Sequence, residues 1–226
     1  MIIYDLLCIS KYFYIMENRS ESIEDIKTIR KLMEESTRFL SLSGLSGIFA
    51  GIVAIAGAVI AYFLILKKGS IRYDDYISIL PADETLIIRW KLIADALLVL
   101  ALSILLSLYF SSQKARSEGK NIWSPVSKRL LINMLIPLIS GGIFIIVLLI
   151  QNHLQLIVPG LLIFYGLALV NAGKFTYDEV FYLGILEIIT GLVSAFFQGW
   201  GLISWVIGFG LLHIIYGIVM YRKYEA

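Results

Sequence analysis

One cysteine, two histidines and four prolines are all that the 226 residues hold of those three types. Cys8 alone closes no internal disulfide and no all-cysteine metal site, and His153 and His213 fall short of most zinc ligand sets. Charge is scarce as well: 16% of residues are Asp, Glu, Lys or Arg, where a soluble domain carries roughly 25%. The 19 basic and 17 acidic side chains leave a formal charge of +2, which offers nucleic acid no basic platform. No Walker loop, dinucleotide fingerprint, HExxH or paired-cysteine signature occurs. Soluble, disordered and nucleic-acid-binding classes are thereby excluded, and no catalytic residue, cofactor or metal is expected.

Apolar residues are what remains: they make up 59% of the chain, with a mean hydropathy of +0.85. Crossing about 30 Å of hydrocarbon takes about 20 apolar residues at 1.5 Å each. Six stretches qualify, near 44–66, 92–110, 130–150, 154–170, 180–197 and 202–221. Lipid offers the backbone no hydrogen-bond partner and strand-like alternation is absent, so the spans must be helices. The expected fold is an all-α polytopic transmembrane bundle over 44–221, between a cytoplasmic segment 1–43 and a short cytoplasmic tail 222–226.

Orientation follows from lysine and arginine. With the first segment inside, fourteen of the nineteen fall on the inner side, and Lys67, Lys68, Arg72, Arg89 and Lys91 fall outside, as the positive-inside rule prefers. Both termini are expected in the cytoplasm of a bacterial inner membrane. The basic residues of the first outer loop are offset by Asp74, Asp75, Asp83 and Glu84; five spans, with a re-entrant turn, is the alternative. Residues 1–15 lack the features of a signal peptide, and Met16 reads as the biological start, with Met1 the alternative. From Ser22, a capping pattern with Asp25 and apolar Ile23, Ile26, Ile29, Leu32 and Met33 predicts an amphipathic helix. Ser124 and Pro125 are placed as N-cap and first residue of the third span.

Helices in lipid associate through small residues that let backbones approach. Gly47, Gly51, Ala54, Ala58 and Ala61 share one face of the first span and mark a packed helix or, alternatively, a dimer contact. The last four spans read as a repeated hairpin: Ser140-Gly141 aligns with Thr190-Gly191, and Tyr165-Gly166 with Tyr216-Gly217. Ser36-Thr37-Arg38-Phe39-Leu40-Ser41-Leu42-Ser43-Gly44-Leu45-Ser46-Gly47, the stretch Ile163-Phe164-Tyr165-Gly166-Leu167-Ala168-Leu169-Val170-Asn171-Ala172 and Ile207-Gly208-Phe209-Gly210-Leu211-Leu212-His213 together resemble a family of small bacterial polytopic membrane proteins. The glycine-punctuated hairpins are loosely similar to the multi-span acid-resistance membrane proteins. Neither resemblance implies an activity or assigns a functional residue.

An ionisable group inside a span costs about 2.5–3.5 kcal/mol on insertion scales. Glu187 lies mid-way along the fifth span and His213 inside the sixth, each thirteen positions from Trp200 at the turn, so they reach one depth. They form either a buried hydrogen-bonded pair that holds the bundle in register or a proton-sensing or relay pair, since an imidazole titrates near neutrality. Pro137 deprives the Asn133 carbonyl of its helical donor, so Asn133 and Pro137 mark a kinked, locally polar third span; Pro159 is expected to act similarly in the fourth. Asp95 is expected to pair with Lys91 one turn away. Gly44-Leu45-Ser46-Gly47 matches the short nucleophile pattern of rhomboid-type intramembrane proteases, but five spans separate Ser46 from His213.

The function these features indicate is a non-enzymatic interaction, sensing or envelope-stress component. The alternative is a small-solute or proton-coupled transporter or channel using Glu187, His213, Asn133 and Pro137. The expected partners are the lipid bilayer and a second copy of the chain or a membrane or cytosolic protein.

Overall fold

The computed structural model describes residues 42–66, 82–119, 123–197 and 199–226. The chain divides into Met1–Arg38 and Phe39–Ala226, and every described residue belongs to the second unit. The expected amphipathic helix, the start at Met16 and residues 67–81 of the first loop lie outside the described residues.

Among the described residues every regular element is a helix. α1 is Gly44–Ile60, prolonged by a π-helical turn Ala61–Ile65. α2 is Ala82–Ser117, α3 Pro125–Ile150, α4 Ile157–Gly173 after a 3-10 turn Leu154–Leu156, and α5 Asp178–Phe196. The last rod, α6, is Gly201–Tyr224; it is α-helical at Gly201–Trp205 and His213–Tyr224 and π-helical between them at Val206–Leu212. Six of these helices are long and apolar enough to cross a membrane. α2 begins ten residues before the expected 92, because Ala82, Asp83, Glu84 and Thr85 extend a helical turn out of the apolar run. The expected tail is shorter than foreseen, since α6 continues to Tyr224.

The helix ends obey local chemistry. Ser124 Oγ accepts from the Ser127 N–H at 3.1 Å and Pro125 occupies the first helical position, where no donor is missed. Asp178 and Glu179 open α5, whereas Lys114 and Arg116 close α2 and Arg222 and Lys223 close α6, each sign suited to the dipole it faces. The α3–α4 turn passes through Asn152 at φ 60°, and the α5–α6 turn through Gly199 at φ 88°. Pro159 falls in the first turn of α4, where its absent N–H breaks no bond, so the expected second kink does not arise.

Glycine decides which helices touch. A Cβ on Gly44 would stand 2.6 Å from the Gly217 carbonyl, and one on Gly217 would stand 2.6 Å from the Gly44 carbonyl, so α1 and α6 cross backbone to backbone. Gly166 and Gly184 repeat this reciprocity between α4 and α5 at 2.6 and 2.7 Å. α2 flanks α1 and α3 flanks α4, and both outer helices expose large apolar residues such as Leu97, Leu105, Ile136 and Ile143. α5 grips α4 more closely than its hairpin mate α6, so the sequence repeat is not matched by equivalent packing of the two hairpins.

At one end of the bundle four helices are clasped together. Glu225 Oε1 accepts from the Gly44 N–H at 2.7 Å and Oε2 from the Ser43 hydroxyl at 3.2 Å, so the last turn of α6 caps α1 from 181 residues away. Lys114 of α2 donates to the Leu42 carbonyl at 2.8 Å and to Glu225 at 3.1 Å, with side-chain exposures of 9% and 14% for the ion pair. Lys223 reaches Glu179 of α5 at 2.6 Å. The start of α1 and the end of α6 therefore lie at the same end of the bundle.

Candidate functional site

α4, α5 and α6 carry one aromatic or ionisable group each to the middle of the bundle. Tyr165 is the central residue of Ile157–Gly173 and Glu187 that of Asp178–Phe196. His213 is the first residue below the π-helical segment of α6. The small residues make this meeting possible: Gly166 and Gly184 draw α4 onto α5, and Gly208 leaves room for the carboxyl group. A Cβ there would stand 2.7 Å from Glu187 Oε2 and would also collide with Leu162.

Glu187 is 0% exposed and His213 7%. His213 Nε2 lies 2.8 Å from Tyr165 Oη, and Nδ1 lies 3.2 Å from the Gly208 carbonyl. Both contacts are satisfied by one tautomer, in which Nδ1–H donates to Gly208 and the Tyr165 hydroxyl donates to Nε2. Glu187 Oε1 is 3.3 Å from the same Nδ1. That separation is close enough for a charge contact, yet neither carboxyl oxygen of Glu187 has a hydrogen-bond partner, because a hydrogen bond needs direction as well as distance. One N–H thus faces two acceptors and bonds to Gly208. Aromatic rings close the site: Tyr165 stacks on His213, and Phe209 packs edge-on against Tyr165 and Trp205. Trp205 Nε1 donates to the Ala54 carbonyl of α1 at 3.1 Å.

A bare carboxylate at this depth carries a penalty of several kcal/mol. The site is least costly when it is neutral overall, with the proton on Glu187 or with Glu187 and His213 oppositely charged. Chemically it can hold or release a proton between an acid, an imidazole and a phenol. Among the described residues no group of three or more His, Cys, Asp or Glu side chains is placed to hold a metal ion.

The structure brings Glu187 and His213 together and leaves Asn133 and Pro137 apart from them. Both lie on α3, which packs against α4, and the Asn133 side chain donates to the Arg129 carbonyl of its own helix at 2.8 Å. Gly47 and Gly51 face α6, with a Cβ on Gly51 2.5 Å from the Gly210 carbonyl, and Ala54, Ala58 and Ala61 are buried; this face is covered within the chain. Asp95 turns toward α1, its Oδ2 3.5 Å from where a Gly57 Cβ would stand. Ser46 Oγ donates to the Ser43 carbonyl, and the two ring nitrogens of His213 meet Tyr165 and Gly208 instead.

Sequence reasoning passed over Tyr165, Gly208, Trp205 and Ser194, whose buried Oγ has no hydrogen-bond partner. Tyr165 is 48 positions from His213 and looks like any aromatic residue in a span. The unusual π-helical stretch has a faint signal in Gly208 and Gly210 two positions apart. Fold and site define a multi-pass helical membrane protein with a buried acid–imidazole–phenol unit at mid-depth. Comparison with known protein families, curated proteins and solved structures finds no match for this chain.

Proposed function

We propose that the chain is a bacterial inner-membrane protein that works without enzymatic chemistry as a sensing component, and that the proton bound at Glu187 and His213 is what it senses. The observation that carries this reading is a carboxyl group with 0% exposure, one oxygen of which lies 3.3 Å from an imidazole nitrogen. Adding or removing one proton there changes the net charge in a medium where charge is expensive, so the packing of α4, α5 and α6 must respond. Such a unit is worth retaining against its cost when its charge state is the signal.

The cytoplasmic placement of both chain ends is part of the same proposal. Lys114, Arg116, Lys128, Arg129, Lys174, Arg222 and Lys223 belong to the clasped end of the bundle, whereas Arg89 and Lys91 belong to the start of α2 at the other end, a bias that favours the clasped end as the inner one. The exposed apolar flanks of α2 and α3 suit lipid, a second copy or a membrane partner.

A second reading, proton-coupled transport, is favoured by one observation. Ser194 and Glu187 lie two turns apart on α5, and both bear buried oxygens without partners, as a hydrated path would. Purified protein in liposomes separates the two. Sensing predicts a protonated-carboxyl infrared band that changes with pH, is absent from Glu187→Gln and is accompanied by no proton leak. Transport predicts dissipation of an imposed pH gradient, abolished in Glu187→Gln. If Glu187→Gln leaves the pH response unchanged, both readings fail.

A further inference from the structure

We propose that the proton on Glu187 sets the helical register of α6, through competition for the single Nδ1–H of His213. The inference rests on the sensing reading and states what the sensed proton moves.

The π-helical segment Val206–Leu212 interrupts α6 where it passes Glu187. Wide turns of this kind are uncommon and cluster at functional positions. Here the interruption has a visible support, the imidazole Nδ1, which lies 3.2 Å from the Gly208 carbonyl. The same Nδ1 is 3.3 Å from Glu187 Oε1. While Glu187 carries its proton it is a poor competitor, and Gly208 keeps the N–H. When the carboxyl O–H bond breaks and the proton leaves to water, the negative charge stays on the carboxylate, and a charged acceptor forms the stronger bond. Nδ1–H then turns to Glu187.

The Gly208 carbonyl, deep in the bundle, loses its side-chain donor, and the π-helical segment loses the imidazole contact that supports it. In the competing α register the same carbonyl accepts from the Leu212 N–H four residues on. Taking it up turns Gly201–Trp205 against His213–Tyr224 by as much as one residue step, about 100° and 1.5 Å. Trp205 then leaves the Ala54 carbonyl, to which it is bound at 3.1 Å, and the proton's effect reaches α1. The titratable groups around the pair are Tyr165 from α4, Glu187 from α5, and His213 and Tyr216 from α6 itself; α1 presents Gly47 and Gly51 to this part of α6.

The test uses the full chain in lipid nanodiscs with Trp90, Trp123 and Trp200 replaced by Phe, so that Trp205 alone emits. Its emission and the carboxyl infrared band are followed together across pH. The expected result is an emission shift that tracks loss of the protonated-carboxyl band. In Glu187→Gln, which cannot become charged, the emission stays at its low-pH position throughout. In Gly208→Ala, whose Cβ displaces the carboxyl group, the emission loses its pH dependence while the band still responds. A band that changes with pH beside an unmoving Trp205, or a Trp205 shift that persists in Glu187→Gln, overturns the register switch and leaves sensing intact. A band that never changes overturns both.

Discussion

Replacing Gly217 by Ala tests the claim that backbone contact, rather than side-chain burial, holds α1 to α6. The added Cβ would stand 2.5 Å from the Ile48 nitrogen and 2.6 Å from the Gly44 carbonyl oxygen. Optimal heavy-atom separations are about 3.5 Å or more, so the helices must part by about 1 Å at this crossing. Both obstructing atoms are backbone and cannot rotate away. Overpacking of this kind costs about 1–3 kcal/mol, offset by about 0.5–1 kcal/mol from the better helix propensity of alanine. The expected net loss is about 1–2 kcal/mol, or roughly five- to thirtyfold in the unfolding equilibrium. Gly142 is the control: it too lies in the middle of a helix, but a Cβ there meets nothing within 4 Å. Gly142→Ala should leave stability unchanged or raise it slightly. Denaturation in mixed micelles, or steric trapping in bicelles, reads both variants on one scale. Equal midpoints for Gly217→Ala and Gly142→Ala would refute the reasoning. The double variant Gly44→Ala with Gly217→Ala should cost less than the two single losses added, because one helix separation relieves both clashes.

Tyr165→Phe removes the hydroxyl that meets His213 Nε2 at 2.8 Å and should cost about 0.6–1.7 kcal/mol, the range found for hydrogen bonds within membrane bundles; the nitrogen-15 shift of His213 should report the lost bond. Glu187→Ala leaves a cavity beside Leu162 and Gly208 yet removes an unpartnered carboxyl group, so it should destabilise less than Leu162→Ala, which deletes a fully buried apolar side chain at about 2–5 kcal/mol; thermal unfolding in detergent compares them. Glu225→Gln keeps an acceptor for the Gly44 N–H but removes the charge opposite Lys114. It should loosen the clasp by about 1 kcal/mol, seen as faster amide exchange at Gly44 and Leu45 and as reduced salt sensitivity of that exchange.

The amino-acid sequence by itself determined the class of structure. A chain with this little charge and six apolar runs has one way to satisfy its backbone in lipid, and a run of about 20 residues sets its own length as a helix. It also determined that Glu187 and His213 share a depth, because equal distances from the turn at Trp200 translate directly into equal rise along two antiparallel helices. Which helix each face meets was beyond it. Asn133 and Pro137 are as polar or as disruptive as the residues of the site, but α3 packs on the far side of α4. Pro159 looks like a second kink until the helix is seen to begin two residues before it. Only the tertiary structure decided that Tyr165 completes the imidazole's hydrogen bonds, that Gly208 yields its Cβ position to the carboxyl group, and that Glu225 caps a helix 181 residues away. The physical reason is that apolar periodicity says which segments enter the membrane, where lipid and neighbouring helix are almost equally good solvents for a leucine; the pairing of helices rests on where glycine lets two backbones touch, and that is a property of two surfaces at once.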